Sequence, residues 1–165
     1  MKRNLISGLL LLLALSALLS SCNLMPLQEK EFSKAGMTIK LTTAFSEREQ
    51  VSYTASYISQ HVMVMALKEE FSIFGLNNEG EQLTLAEYAD MVVEANKKDG
   101  LVFTSQDGIT SASYTSTVNG DDYTYFLTVY KASDAFWLIQ YATKSDKFEE
   151  WKDDIVNYAK SVRFD

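Results

Sequence analysis

Residues 123–143 read YTYFLTVYKASDAFWLIQYAT and predict two long β-strands joined by a turn at Ser133-Asp134. Residues 126–130 (FLTVY) and residues 136–139 (FWLI) each place apolar side chains on both faces of their strand, because successive side chains point to opposite sides. Strands with this pattern lie in the interior of a sheet that is covered on both faces. The two strands therefore predict the centre of a sheet with protein packed above and below it.

Turn residues divide the neighbouring sequence into further hairpins. Asp107-Gly108 and Asn119-Gly120 are two-residue turn signals of the kind that joins antiparallel strands. They delimit strands at residues 101–106 and 109–118, and the second of these is rich in Ser and Thr. That composition predicts an edge strand or a strand with a solvated face. Three more strands are predicted upstream, at residues 37–41, 53–59 and 62–67.

Two amphipathic helices are predicted, one before and one after this run of four strands. Thr84 and Glu87 match a capping box, and Gly100 is the expected end of the first helix. Ser145 or Asp146 is the expected N-cap of the second helix. Apolar residues recur at helical spacing at Leu85, Tyr88, Ala89, Val92 and Ala95 in the first helix and at Phe148, Trp151, Ile155, Tyr158, Ala159 and Val162 in the second.

The predicted order is strands, a helix, four strands and a second helix. A sheet that is apolar on both faces needs a cover on each face, and two amphipathic helices can supply it. We therefore predict a single α+β domain over residues 35–165, built as a sandwich. Its antiparallel central β-sheet has about six to seven strands and is flanked by the two helices.

Four segments of this domain resemble the PsbP-like fold family, which includes DcrB-type bacterial envelope lipoproteins. The resemblance covers nearly all of the chain after Phe32, and it implies a non-enzymatic binding or assembly-assisting domain. Thr42-Thr43 departs from the pattern, because many members carry a proline after the first strand. No functional residue is transferred, because none is tied to a motif in this chain. The segments are Gly36-Met37-Thr38-Ile39-Lys40-Leu41, the helix Thr84–Val93, the strand pair Tyr125–Tyr141 and the closing Ile155–Phe164.

The N-terminal part of the chain leads to Leu19-Ser20-Ser21-Cys22, which contains its only cysteine. Lys2 and Arg3 precede an apolar run, which is the layout of a secretory signal. The four residues resemble the lipobox of bacterial lipoproteins. The resemblance implies cleavage between Ser21 and Cys22 and attachment of diacylglycerol to the Cys22 thiol. We therefore predict a signal peptide at residues 1–21 and a lipidated Cys22 with a short tether at residues 22–34.

Two alternatives for this segment stay open. Residues 4–28 carry no charge and are long enough to span a bilayer, so the segment could remain as an uncleaved signal anchor. Cys22 could also be a free, buried cysteine. The lipoprotein interpretation is favoured because the signal layout and the position of the cysteine agree. It predicts that the protein is anchored in a bacterial cell membrane or outer membrane through lipid at Cys22, on the extracytoplasmic side.

The charge of the chain disfavours two kinds of partner. Without Lys2 and Arg3 the 15 basic residues become 13, against 22 acidic residues, which gives a net charge of −9. Nucleic acid is disfavoured as a partner, because its binding depends on neutralising phosphates with Lys and Arg. Docking on anionic lipid through a basic patch is disfavoured for the same reason. The membrane contact is therefore predicted to be made by lipid at Cys22.

The sequence offers no set of residues that is typical of a catalytic or metal site. His61 is the only histidine, and Ser59 and Gln60 beside it form no recognisable nucleophile motif. A zinc site needs several nitrogen or sulfur ligands. The acidic stretches at residues 77–81 and 119–122 lack the spacing of a calcium loop, so turn chemistry explains them better. We therefore predict no enzymatic activity and no cofactor, and a structural role for His61.

Two functions remain open at this level. The first is a binding or assembly-assisting domain at the cell envelope, with a protein partner of unknown identity. The alternative is a carrier of a lipid or another apolar small molecule, for which Met63, Met65 and Met91 could line a pocket. Core filling by these methionines is favoured over a pocket. The exposed loop ends near Asn78 and Asn119 are the predicted place of function.

Overall fold

A computed structural model describes residues 27–75, 83–98 and 100–165. The lipobox, Leu19 to Cys22, and the predicted loop at residues 77–80, with Asn78, lie outside the described residues. Within the described residues, no helix combines the length and apolar character that crossing a membrane requires.

The chain folds into ten strands and two α-helices, with short 3₁₀ turns at Phe71–Phe74 and Ser145–Lys147 among the described residues. Every strand pairing is antiparallel. In chain order the elements are β1 (Glu29–Lys34), β2 (Met37–Thr42), β3 (Ser46–Glu47), β4 (Ala55–Ile58), β5 (Met63–Glu70), α1 (Leu85–Asn96), β6 (Thr104–Gln106), β7 (Ile109–Val118), β8 (Asp121–Lys131), β9 (Ala135–Lys144), α2 (Phe148–Lys160) and β10 (Arg163–Phe164).

The central sheet has seven strands in the order β3-β4-β5-β9-β8-β7-β6. Its middle strands, β9 and β8, are the pair predicted from residues 123–143, and they run in register from Tyr123 opposite Lys144 to Lys131 opposite Phe136. The prediction of an antiparallel α+β sandwich with a six- to seven-stranded central sheet is therefore confirmed.

A second sheet, in the order β1-β2-β10, was not predicted. The tether predicted for residues 22–34 is wrong over Glu29–Lys34, because these residues form β1 and pair with β2. The predicted strand at residues 37–41 does form, but it lies in this second sheet rather than in the central one. Its residues Met37, Ile39 and Leu41 are fully buried against the central sheet.

The two faces of the central sheet have different covers. One face packs against α2 and the small sheet, and its core contains Trp137, Ile139 and Tyr141 of β9. The other face packs against α1, whose Tyr88 and Val92 contact the cluster around Val129 and Phe136. Since α1 covers only part of its face, side chains of the neighbouring strands remain accessible there.

The N-cap predicted from the sequence is correct for α1 and wrong for α2. Thr84 caps α1 in a capping box, since the Glu87 N–H donates to Thr84 Oγ1 at 3.2 Å and the Thr84 N–H donates to Glu87 Oε2 at 2.7 Å. The prediction that Ser145 or Asp146 caps α2 is wrong. Both residues lie in the 3₁₀ turn Ser145–Lys147 that leads directly into the helix, so α2 begins at Phe148 without a side-chain cap. Ser145 Oγ accepts a hydrogen bond from Thr124 Oγ1 at 3.0 Å.

Candidate binding surface

Tyr114, Tyr123 and Tyr125 share the α1 side of the central sheet, beyond the part that α1 covers, and the Tyr53 hydroxyl lies close enough to raise the pKa of Tyr114 and Tyr125. We call Tyr53, Tyr114, Tyr123 and Tyr125 the tyrosine surface; all four side chains are half-buried. Tyr114 of β7 and Tyr125 of β8 are direct cross-strand partners, and their rings stack with centroids 4.9 Å apart and an interplanar angle of 16°. Tyr123 lies two residues before Tyr125 and therefore shares its face.

The strand register explains why these rings stand out from the sheet. Met63, Ala142, Tyr125 and Tyr114 form one row across β5, β9, β8 and β7. The short Ala142 side chain, between Met63 and Tyr125, leaves room above the sheet. The methionine and the large rings thus form an apolar surface that is open to solvent.

The two stacked phenols of the tyrosine surface, those of Tyr114 and Tyr125, are neutral at physiological pH. Burial raises the pKa of Tyr114, and the hydroxyls of Tyr125 and Tyr53 raise it further. Burial also raises the pKa of Tyr125, with smaller contributions from Tyr123 and Tyr53. These phenols therefore keep their protons and act as hydrogen-bond donors and acceptors, with an apolar ring below each hydroxyl.

One lysine marks the boundary between the tyrosine surface and α1. Lys98 Nζ lies 5.4 Å from the centre of the Tyr114 ring, within the range of a cation–π contact. The same ammonium group donates a hydrogen bond to Ser116 Oγ at 3.4 Å. A positive charge therefore stands at the rim of a neutral surface, on a chain whose net charge is −7.

A shallow depression of about 360 Å³ adjoins the tyrosine surface at Tyr123. Met63 and Ala142 contribute apolar area to it, and Lys144, which pairs with Asp121 at 3.1 Å, lies at its rim. Small-molecule sites usually enclose most of the ligand in a deep cavity. This depression is open to solvent, so it extends a contact surface rather than enclosing a ligand.

His61 lies outside any strand, in the tight turn between β4 and β5, and its side chain is exposed. Its imidazole stacks on the indole of Trp151 from α2, with ring centroids 5.2 Å apart and an interplanar angle of 21°. The Ser59 hydroxyl beside it accepts hydrogen bonds from the main-chain N–H groups of His61 and Val62. Ser59 therefore serves the turn, and the structural role of the histidine stays a prediction.

We expect His61→Gln to leave the function of the protein unchanged. Glutamine keeps a planar polar group of similar reach against Trp151 but cannot act as an imidazole base. Complementation of a strain that lacks the protein should therefore match that of the wild type, with a thermal midpoint within about 2 °C, as for most surface substitutions. Loss of complementation at an unchanged thermal midpoint would contradict the structural role and indicate chemistry at His61.

The remaining candidates from the sequence are found in several places. Cys22 and Ser21 lie outside the described residues. Met65 is buried and Met63 is half-buried in the central sheet, whereas Met91 is exposed on α1, so the three methionines do not line one pocket. Asn119 is exposed in the turn that joins β7 and β8, and it lies outside the tyrosine surface. In the described part of the chain, no group of three or more His, Cys, Asp or Glu side chains could hold a metal ion.

Several solved structures are similar to this fold. The chain is similar to the cyanobacterial PsbP protein of Synechocystis, with a TM-score of 0.55, 11% identity and coverage of 89% of this chain and 99% of that one. It is also similar to the Ran-binding protein Mog1p of Saccharomyces cerevisiae, with a TM-score of 0.52, 9% identity and coverage of 84% and 96%.

A protein of Bacteroides thetaiotaomicron is similar as well, with a TM-score of 0.54, 13% identity and coverage of 84% of this chain. The aligned region spans about half of that protein, 49% of its length. No protein-family model matches the sequence, and no curated protein matches it. At these identities the likenesses show the fold alone: the chain has a PsbP-like α+β fold, and it carries an exposed tyrosine surface on its central sheet.

Proposed function

We propose that this chain is a lipid-anchored envelope protein whose PsbP-like domain binds a partner protein without catalysing a reaction. The observation that carries the proposal is the tyrosine surface, where Tyr53, Tyr114, Tyr123 and Tyr125 form a neutral aromatic contact area. In this role the domain assists the binding or assembly of a protein at the membrane.

Tyrosine suits a protein contact for physical reasons. Its ring buries a large apolar area while its hydroxyl still forms hydrogen bonds, and tyrosine is enriched among the residues that dominate binding energy. The Tyr114–Tyr125 stack also holds two of the rings in place before a partner arrives. Groups that are already ordered lose less side-chain entropy on binding. The surface therefore combines apolar area with little cost of ordering.

The proposed anchor would keep the domain near the membrane. The Thr43 N–H donates to Gln28 O at 2.8 Å, so the main chain is fixed to the domain from Gln28 onward. Residues 23–28 remain between the lipid and that point, and six residues reach at most about 20 Å when fully extended. A lipid at Cys22 therefore restricts the domain to partners at the membrane or close to it, which supports an envelope role.

The proposal is tested by removing two rings from the tyrosine surface of the full chain in its native membranes. The double substitution of Tyr123→Ala and Tyr125→Ala should reduce a chemically cross-linked protein complex at least about tenfold, because truncating one central aromatic residue commonly costs 2 kcal/mol or more of binding. Ile73→Ala is the matched control, since Ile73 is 66% exposed but follows the opposite end of β5. The complexes are compared on denaturing gels, together with the melting midpoint of each variant.

Two other results would contradict this proposal. An equal amount of complex from the double variant and the wild type would refute the tyrosine surface as the contact site. Native mass spectrometry of the purified full chain separates the two functions. A lipid or other small molecule that stays bound, and whose removal lowers the midpoint by several degrees, would favour the carrier instead.

A further inference from the structure

Strand β7 has a long edge that is open in the part of the chain that the structure describes. On one side β7 pairs with β8 from Thr110 to Val118. On the other side it pairs with β6 only from Ile109 to Ser111. No described residue pairs with β7 beyond Ser111 on that side.

The two flanking hairpins determine which main-chain groups point away from the sheet. In a hairpin with a two-residue turn, the residues on either side of the turn form a hydrogen-bonded pair. Gln106 and Ile109 flank one turn, so Ile109 and every second residue after it point toward β6 and its open continuation. Val118 and Asp121 flank the other turn, which directs the even-numbered residues of β7 toward β8. The N–H and C=O groups of Ser113, Thr115 and Thr117 therefore point outward, and none bonds to a described residue.

This edge lacks the features that usually prevent strand pairing. Proteins protect exposed edges with charged residues, proline, bulges or very short strands. Residues 112–118 read ASYTSTV and contain no charge, no proline and no glycine. The side chains of Ser113, Thr115 and Thr117 are exposed, and no hydrogen bond from the described chain reaches their outward main-chain groups.

We propose that the open edge of β7 receives an extended segment of the partner protein as an additional β-strand. The inference rests on the proposed function, and it gives the partner a chemical form. Six main-chain groups at alternate residues have no partner among the described residues, and an extended main chain matches their spacing, which is the basis of binding by strand addition. Tyr114 belongs to β7 and to the tyrosine surface, so the added strand would continue that contact area.

The surroundings of the edge favour an acidic segment from a different protein. Lys98 lies above Tyr114 and beside Ser116, on the α1 face of β7. A carboxylate on that face of the added strand would therefore meet a positive charge. A second copy of this chain, paired edge to edge through β7, would offer only the neutral residues 112–118 and therefore no carboxylate to Lys98.

The test places a photo-cross-linking residue, benzoylphenylalanine, at Ser113 of the full chain in its native membranes. Its cross-linked peptide should come from another protein. Thr115→Pro removes one outward N–H from the edge and should reduce this cross-link about tenfold, because a main-chain hydrogen bond is lost and the ring obstructs its neighbour. Thr115→Val is the matched control, since it keeps the N–H and the branched side chain, and its cross-link should match the wild type.

The role of Lys98 is tested in the same assay. Lys98→Gln should weaken the cross-link several-fold and reduce its sensitivity to salt, whereas Lys152→Gln, at an exposed position on α2, should not.

If Thr115→Pro lowers the melting midpoint, the pair Ser113→Lys and Thr117→Lys replaces it, with benzoylphenylalanine moved to Ser111. Lysines at an edge block pairing without interrupting the strand.

The possible failures differ from a failure of the proposed function. A cross-link to a second copy of this chain or to lipid would overturn the inference, and so would one that is insensitive to both edge variants. No cross-link from the edge, together with a complex that depends on Tyr123 and Tyr125, would overturn strand addition and leave the tyrosine surface in place. A complex that depends on neither the edge nor the tyrosines would overturn both.

Discussion

Trp137→Ala should lower the free energy of unfolding by about 3–5 kcal/mol, the usual cost of truncating a fully buried aromatic residue. Trp137 is 1% exposed on β9, the middle strand of the central sheet, and its ring centroid lies 5.5 Å from that of Phe164. It belongs to the cluster that joins the central sheet, the small sheet and α2. The substitution would leave a cavity at the meeting point of three elements, and little of the surrounding structure can move to fill it.

The second tryptophan provides a matched control. Trp151 on α2 is half-buried and stacks on the exposed His61, so Trp151→Ala should cost clearly less than Trp137→Ala. Urea unfolding is best followed by circular dichroism, because both variants lose a fluorophore. Equal losses of stability in the two variants would contradict the central position of Trp137 in the core.

The centre of the fold could be predicted from the sequence because local and tertiary signals agree there. Residues 126–130 and 136–139 are apolar on both faces, and the turn signals at Asp107-Gly108 and Asn119-Gly120 fix the register of the flanking hairpins. Both turns have positive φ at both central residues, as a two-residue type I′ hairpin requires. Pairing of neighbouring strands then follows almost directly from the order of the sequence.

The small sheet could not be predicted in the same way. β1 carries a single buried side chain, Phe32, among exposed polar residues, so its sequence is typical of a tether. Its turn to β2 uses Ala35 at a φ of 53°, a conformation that alanine rarely adopts and that its sequence does not signal. β10 has only two residues and joins the sheet from the end of the chain. Tertiary contacts rather than local preference stabilise these strands.

The sequence analysis did not predict the tyrosine surface, because it did not compare the width of the sheet with the width of the helix that covers it. The sequence predicted one helix for each face of the sheet, but a helix with its side chains is about 10–12 Å wide. Seven strands spaced about 4.8 Å apart make a sheet roughly 30 Å wide. One helix of 12 residues, α1, therefore covers only part of its face. Comparing the width of the predicted sheet with the width of one helix would have indicated that some strands stay uncovered. Tyr123 and Tyr125, two residues apart on one strand, would then have identified an uncovered strand.

Cys22→Ala should abolish lipid attachment and leave a precursor that keeps Lys2 and Arg3. The thiolate is the nucleophile of the alkylation, and alanine offers none. The wild-type chain extracted from membranes should have lost residues 1–21 and gained acyl mass, whereas the variant should show the mass of the whole unmodified chain. Two acyl chains, at about 0.8 kcal/mol per buried CH₂, hold a protein firmly on a membrane.

Ser21→Ala is the matched control for this variant, because it keeps a small residue before the cleavage site and leaves the Cys22 thiol in place. It should be processed and lipidated as the wild type is, and intact mass spectrometry distinguishes the three chains. Because the lipid is attached seven residues before β1, neither substitution should change the free energy of unfolding of the domain. A wild-type chain with the mass of the unmodified precursor would refute the lipid anchor, and the uncharged residues 4–28 would then be the better candidate for membrane attachment.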